Sequence, residues 1–179
     1  MGLQRRVRQS LGTGPLAADA PHTRRVLLRS PLIMNPAPGG IFDTLMTLMY
    51  FGLSRPPAGG RQYVSWVHDQ DFVRILNFLI EREDIKGVVN VSSPNPLPYR
   101  DFTAALRRAY GMPSELPATR WMLEIATFLL RTETELILKS RWSNPGPLLE
   151  AGFTFDYPEW EAGIARIDHG LLLLTSIEN

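Results

Sequence analysis

Cysteine is absent from the 179-residue sequence, and lysine occurs only as Lys86 and Lys139. Without cysteine the chain forms no disulfide, offers no thiolate to a metal ion and has no cysteine nucleophile, which fits a reducing compartment. The three histidines, His22, His68 and His169, do not stand at the spacing of metal ligands. The composition therefore predicts a cytoplasmic protein without a metal site.

Neither sign of charge dominates the sequence, and long hydrophobic runs are missing. The 19 basic and 18 acidic residues are interspersed and give a net charge of +1, so we expect no field that would hold nucleic acid or an anionic membrane. The longest apolar runs, at 45–53 and 171–174, fall short of the roughly 18 to 20 residues that span a bilayer. A hydrophobic content of 44% still suffices for one compact core. We expect no nucleic-acid partner and no membrane partner.

The chain divides into three regions by pattern. Residues 1–21 keep neither a strand period nor a helix period and are predicted to be a poorly ordered leader. Residues 22–167 carry the strand and helix patterns of a domain, and 168–179 form a C-terminal tail. The domain opens with the apolar run Val26–Met34, which is typical of a strand buried on both faces. A buried helix follows from Ile41 and is predicted to close near Gly52.

The most informative segment runs from Gly59 to Ile80. Large and β-branched residues at Tyr63–Val67 predict a strand, and the apolar positions after Asp71 recur at helical spacing. Asp71 is predicted to cap this helix, and we also consider an ion pair between Asp71 and Arg29. His68 alternates with Trp66 along the strand, so it is either a core imidazole held by a hydrogen bond or a group that faces a substrate cleft.

The remaining patterns alternate between strands and helices. They predict a strand at Val88–Ser92, an amphipathic helix at Asp101–Tyr110 and a short helix at Leu148–Ala151. An apolar stripe is predicted to dock on the body of the domain rather than to dimerise, and its residues are Trp160, Ile164, Ile167, Leu171 and Leu174. Alternating strands and helices indicate an α/β fold with parallel pairing.

One glycine motif needs an explanation. The segment Gly12–Ala17 matches the spacing of a dinucleotide-binding fingerprint. That fingerprint binds pyrophosphate only where a buried strand delivers the glycines to the N-terminus of a helix. The residues before Gly12 do not form such a strand pattern, and Pro21 follows soon after. We interpret the match as coincidental.

Five segments, in this order, resemble the extended short-chain dehydrogenase/reductases, in the branch of nicotinamide-dependent epimerases that end in a small domain of unknown function. They are Arg29–Pro36, Gly60–Asp71, Val88–Pro96, Leu116–Ala118 and Leu148–Phe153. The resemblance extends from about Pro21 to Ile164 and implies the C-terminal portion of a Rossmann-like fold. The fold expected is an incomplete parallel sheet plus a small helical and β substrate-side module.

The resemblance also implies roles for individual residues. The backbone of Pro31, Leu32 and Ile33 falls where the family contacts the nicotinamide carboxamide. Arg61 and His68 fall on the side of the substrate cleft. Nucleotide-sugar members usually carry an arginine where this chain has Val64, so Arg61 is expected to contact an anion other than a diphosphate.

The catalytic pair of the family is a tyrosine with a lysine four residues later, and none of the five tyrosines here has one. We therefore expect the substrate-side half of an NAD(P)-dependent epimerase-like or dehydratase-like oxidoreductase, inactive alone and unable to bind NAD(P) alone. Its expected partner is the missing N-terminal half or a second copy of the chain. The alternative is a non-catalytic binding or interaction module on the same scaffold.

Overall fold

The computed structural model describes residues 22–50, 52, 57–112 and 142–167. The expectations for 1–21 and 168–179 concern residues outside these ranges. The described strands are β1 (Val26–Arg29), β2 (Leu32–Met34), β3 (Tyr63–Val64), β4 (Trp66–His68), β5 (Gly87–Asn90) and β6 (Leu97–Pro98). The described helices are α1 (Ile41–Tyr50), α2 (Asp69–Glu81), α3 (Tyr99–Ala109), α4 (Gly146–Glu150) and α5 (160–167), with a 3-10 turn at Pro57–Gly60.

The single strand predicted at Val26–Met34 is two strands that bond different neighbours. β1 pairs in parallel with β5, whereas β2 pairs in parallel with β4. Ser30 and Pro31 separate them and change the direction in which the backbone groups point. Proline has no N–H for a ladder, so a break at this position is physically expected. The residues of β1 are also only partly buried, whereas the sequence predicts a strand that is buried on both faces.

Strand β4 lies between β2 and the segment that follows β5. The carbonyl oxygen of Ser65 accepts from the amide of Leu32 at 3.4 Å, and the carbonyl oxygen of Trp66 accepts from the amide of Ser93 at 2.7 Å. Successive peptide groups of a strand point in opposite directions. The chain after β5 therefore continues along one side of β4, and β2 lies along the other side.

The two faces of β4 contact two separate hydrophobic clusters. Trp66 packs with α1, α3 and α5 in one cluster, and Val67 packs with α2, β5 and α4 in the other. This follows from the alternation of side chains along a strand. The apolar residue of the α5 stripe, Trp160, stacks on Phe102 with ring centroids 4.3 Å apart. The prediction that this stripe docks on the body is confirmed for Trp160, Ile164 and Ile167, whereas its last two residues, Leu171 and Leu174, lie outside the described ranges.

Helix α2 begins earlier than its sequence pattern predicts. Its N-cap is His68, and Asp71 is already the third helical residue. The prediction of Asp71 as the cap is therefore wrong, because the helix already begins at Asp69 and the carboxylate of Asp71 accepts the amides of Asp156 and Tyr157 instead. Helix α1, which the sequence predicts to close near Gly52, ends at Tyr50, and Gly52 has a φ of 71°. A positive φ suits glycine at such an end, so that prediction is confirmed.

Candidate functional site

The candidate site lies where β1 and β5 end. Arg29 and Asn90 are register partners at these two ends. In parallel α/β sheets, ligands bind outside the carboxyl ends of the strands. The chain that follows β5 is buried at Ser92 and Ser93, which are 0% and 1% exposed. Polar side chains buried at this edge must have partners, and those partners define the site.

Three side chains fix a segment of the C-terminal part across this edge. Ser92 donates its hydroxyl to the carbonyl oxygen of Ser143 at 3.2 Å, and Asn90 donates to the carbonyl oxygen of Asn144 at 3.0 Å. The hydroxyl oxygen of Ser65 accepts the amide of Ser143 at 2.9 Å. Because Ser65 and Ser92 are buried, these bonds hold the backbone at 143–144 in one position over the strand ends.

Sequence reasoning missed these anchors. Ser65 was the available signal, because it is a hydroxyl inside an otherwise apolar and aromatic strand. Asn90 and Ser92 stand in a segment that the sequence identifies only as a strand. Their partners lie more than 50 positions further along the chain, and such pairings have no local pattern.

An aromatic pair stands beside the anchored segment. The rings of Tyr63 and Trp142 meet edge to face, with centroids 4.6 Å apart and 63° between the planes. Tyr63 is half-buried, whereas Trp142 remains 65% exposed. Edge-to-face contact is the favoured geometry for aromatic rings. The pair therefore presents an exposed indole at a defined place beside the strand ends.

The three residues expected at the nicotinamide lie at the break between β1 and β2. Pro31, Leu32 and Ile33 are all half-buried. The amide of Leu32 already donates to Ser65, and the carbonyl oxygen of Pro31 accepts the hydroxyl of Ser30 at 3.3 Å. Strand geometry directs the N–H and C=O of Ile33 away from β4, and no described residue bonds them.

That arrangement fits a carboxamide chemically. A carboxamide carries one carbonyl acceptor and one NH₂ donor. A backbone N–H and C=O on an open strand edge, as at Ile33, offer the matching donor and acceptor. The structure thus leaves a suitable pair of groups at one of the three expected residues.

Arg61 and His68 lie in contrasting environments. Arg61 is exposed, and among the described residues no carboxylate pairs with it. His68 is 2% exposed and stacks on Tyr157 with ring centroids 4.1 Å apart. A Cβ added at Gly163 of α5 would lie 3.7 Å from the His68 ring. The observed position is that of a packed imidazole, which is the first of the two alternatives for His68; a cleft role stays a prediction.

The hydrogen bonds of His68 indicate which ring nitrogen carries the proton. Nδ1 lies 2.9 Å from Oδ1 of Asp69 and 3.2 Å from the amide of Gln70. Nδ1 either donates a hydrogen bond to the carboxylate of Asp69 or accepts one from the amide of Gln70. The amide of Gln70 already has the closer carboxylate of Asp69, at 2.7 Å, so donation from Nδ1 to Asp69 leaves both Nδ1 and the amide of Gln70 with a partner. The buried Nε2 has no described partner and is then the acceptor nitrogen.

The carboxyl group of Asp69 is tuned by this network. Partial burial raises its pKa and is the largest single influence, but the hydrogen bond to His68, the electrostatic interaction with that ring and the amide of Gln70 together outweigh it. The pKa of Asp69 therefore lies below its usual value. Asp69 stays ionised and also accepts from the side chain of Asn35 at 3.1 Å, which ties the end of β2 to the start of α2.

Asp71 has a different role from the one predicted. It is 0% exposed, and its two carboxylate oxygens accept the amides of Asp156 and Tyr157, each at 2.9 Å. Its ion-pair partner is Arg74, at 2.8 Å. The predicted pairing of Asp71 with Arg29 is wrong, since Arg29 is exposed at the end of β1. Asp71 instead attaches the C-terminal segment to α2.

Neither a metal cluster nor a membrane helix is found within the described ranges. No group of three or more histidine, cysteine, aspartate or glutamate side chains converges there. Likewise, no helix in the described part of the chain is long and apolar enough to cross a membrane.

Comparison with known families gives one match and several relatives. Residues 118–167 match the model of a domain of unknown function, DUF1731. Epimerase family protein Mb2239 of Mycobacterium bovis is 32% identical over 160 residues, which cover 83% of this chain and 52% of that protein. Epimerase family protein SDR39U1 of Mus musculus is 29% identical over 146 residues, covering 81% and 48%. The chain spans about half the length of the curated relatives it matches.

Solved structures share the same fold. Human epimerase family protein SDR39U1 (isoform 2), crystallised with NADPH, superposes with a TM-score of 0.72 and 22% identity, over 86% of this chain and 51% of that one. UDP-glucose 4-epimerase of Thermus thermophilus, in complex with NAD, gives a TM-score of 0.54 and 16% identity, over 92% and 50%. The likeness confirms the expected α/β, Rossmann-like fold class and its partial sheet.

Proposed function

Because the chain is related to the C-terminal part of the epimerase family proteins, we propose that it is the substrate side of an NAD(P)-dependent epimerase-like oxidoreductase. It supplies one wall of the active site and does not catalyse hydride transfer by itself. The absence of cysteine is consistent with work in the cytoplasm.

The open edge of β1 and β2 is the observation that carries this proposal. The carbonyl oxygens of Arg25 and Arg29 accept from the chain of β5. The N–H and C=O groups of Val26 and Leu28 therefore point to the opposite side, where no described strand pairs with them. Parallel strands are normally buried inside a sheet. The matching occupant is a parallel strand from a nucleotide-binding half, consistent with relatives about twice the length of this chain.

Residues of this chain then take defined positions around the cofactor. A bound nicotinamide supplies the hydride chemistry of the site. The backbone at Pro31, Leu32 and Ile33 holds its carboxamide, and the free N–H and C=O of Ile33 are the groups we assign to it. Arg61 contacts an anionic part of the substrate. His68 packs in the core behind these residues and holds the start of α2 in position through its contact with Asp69.

The general acid and base of the reaction must be supplied by residues other than those of this chain. The family couples a tyrosine to a lysine four positions later, and none of the five tyrosines in the 179 residues has such a lysine. The sequence before the glycine fingerprint at Gly12–Ala17 does not have the apolar pattern of the buried strand that such a fingerprint requires. The chain alone is therefore expected to leave NADH and NADPH unbound.

A fluorescence titration with NADPH tests the proposal. The chain alone should give no saturable change in NADPH emission, whereas full-length human SDR39U1 serves as the positive control. Adding the N-terminal half of a relative such as Mb2239 should produce saturable binding that neither half shows alone. NADPH binding by the chain alone, at the affinity of the full-length control, would refute the missing-half interpretation.

Two variants at one position test whether the open edge is the contact. Leu28→Pro removes an N–H that points to the open edge and should abolish binding of the N-terminal half. Leu28→Ala shortens the same side chain, keeps that N–H and should retain the association. Equal association of both variants would show that the edge is not used, and failure of every N-terminal half to associate would favour the stand-alone binding module.

A further inference from the structure

Trp142 is a large apolar side chain with 65% of its surface exposed. Indole rings usually bury most of their area, and exposed aromatic surface at a strand edge marks a binding surface. The described surroundings include the half-buried ring of Tyr63, which meets Trp142 in an edge-to-face contact. With 65% of its surface exposed, the indole still offers apolar surface to a ligand beside the strand ends.

The backbone next to this indole is held in place by two hydrogen bonds. The next residue, Ser143, bonds through its amide and its carbonyl oxygen to the hydroxyls of Ser65 and Ser92. Both serines are buried, at 3% and 0% exposure. A ring on a backbone held at both polar groups loses little freedom when a ligand binds, and preorganisation of this kind favours affinity.

A cation stands close to the aromatic pair. Arg61 precedes Tyr63 by two positions, so their Cα atoms are separated by at most about 7 Å. Its side chain is exposed, and none of the described carboxylates neutralises it. An arginine without a protein partner is well suited to a bidentate contact with a ligand carboxylate.

We propose that Trp142, Tyr63 and Arg61 form a binding site for a small ligand that carries a flat ring and one carboxylate. The ring stacks on the exposed face of Trp142, and the carboxylate pairs with the guanidinium of Arg61. A single arginine matches one carboxylate better than it matches the larger charge of a diphosphate. As a statement about substrate class this rests on the proposed function, but the binding itself requires neither cofactor nor catalysis.

Titrating the full chain with benzoate tests the site, with benzamide as the neutral ligand of the same shape. Benzoate should bind saturably by calorimetry and change the tryptophan emission. The emission change should vanish in Trp142→Phe and persist in Trp121→Phe, and the other two tryptophans, Trp66 and Trp160, are buried at 0% and 1% exposure. Benzamide should bind about tenfold more weakly, which is the effect of losing one charge-assisted hydrogen-bonded contact.

Substitutions at Arg61 and Trp142 test the carboxylate contact and the stacking contact separately. Arg61→Gln should weaken benzoate binding about tenfold and leave benzamide unchanged. Trp142→Ala should weaken both ligands about fivefold, the effect of one stacking contact. Arg100→Gln is the matched control, because Arg100 is an exposed cation of α3 that already pairs with Asp101 at 3.3 Å, and it should bind both ligands as the unchanged chain does.

Three results would overturn the proposal. They are equal affinity for benzoate and benzamide, unchanged benzoate binding by Arg61→Gln, and no effect of benzoate on the emission of Trp142. The last result would indicate that the indole is covered by protein. NADPH binding after addition of the N-terminal half is read out separately, so either proposal can fail while the other stands.

Discussion

Asp71 carries a full charge in a position with 0% exposure, and the surrounding groups compensate that charge. Two backbone amides and the guanidinium of Arg74 surround its carboxylate. Burial of an ionised group is costly unless it is both paired and hydrogen-bonded. The contacts of Asp71 join α2 to the segment at 156–157, about 85 positions away in the sequence. Asp71 therefore holds the segment at 156–157 on α2, alongside the bonds of Ser65, Asn90 and Ser92 to 143–144.

We expect Asp71→Asn to lower the free energy of unfolding by about 2–4 kcal/mol. Asparagine has one acceptor oxygen, and its NH₂ would face a backbone N–H that also donates. Urea unfolding measures the loss, and a small change in slope with a large change in midpoint is expected. Asp101→Asn, at a side chain that is 54% exposed, should change stability by less than about 0.5 kcal/mol. Equal midpoints for both variants would contradict this role of Asp71.

At the scale of elements, α5 packs on β4 through a glycine. A Cβ added at Gly163 would lie 3.1 and 3.2 Å from two carbon atoms of the Trp66 indole. Trp66 is 0% exposed and packs edge to face on Trp160, so its ring has no space into which it can retreat. Close packing of this kind tolerates extra atoms poorly. The small residue thus sets the distance between the helix and the strand.

Gly163→Ala is expected to destabilise the domain by about 1–2 kcal/mol, since overpacking outweighs the better helix propensity of alanine. Thermal and urea unfolding measure the change. Gly146→Ala is the matched control in α4, because its added Cβ would only reach Glu150 at 3.9 Å, an ordinary contact. A Gly163→Ala domain as stable as the control would show that α5 shifts freely on β4.

Helices of this fold could be predicted from the sequence, whereas the connections between strands could not. The spacing of Ile75 and Leu79 within α2 is local, and the structure buries both residues. The break at Pro31 changes the partner of the strand from β5 to β4, and that choice depends on residues that are distant in the sequence. Asp71 illustrates the same limit, because its partners at 156 and 157 carry no signal near 71.

At the scale of the molecule, part of the candidate site could be predicted and part could not. Resemblance to a family assigned Pro31, Leu32 and Ile33 to the cofactor side, and the structure leaves the backbone of Ile33 without a described partner. Trp142 gave no such signal, since an isolated tryptophan in a sequence is more often packed than exposed. Its exposure follows from the anchoring of Ser143 by Ser65 and Ser92, which only the folded chain shows.

The open edge of β1 also predicts the behaviour of the chain in solution. Unpaired N–H and C=O groups on an apolar strand are a template for pairing with another chain, so we expect concentration-dependent self-association in light scattering. Leu27→Lys places a charge on β1, at a half-buried side chain, and should reduce this association. Val73→Lys adds the same charge on α2, at a side chain that is 54% exposed, and should not. A chain that stays monomeric without either substitution would show that this edge is already covered, and the N-terminal half would then need another route into the sheet.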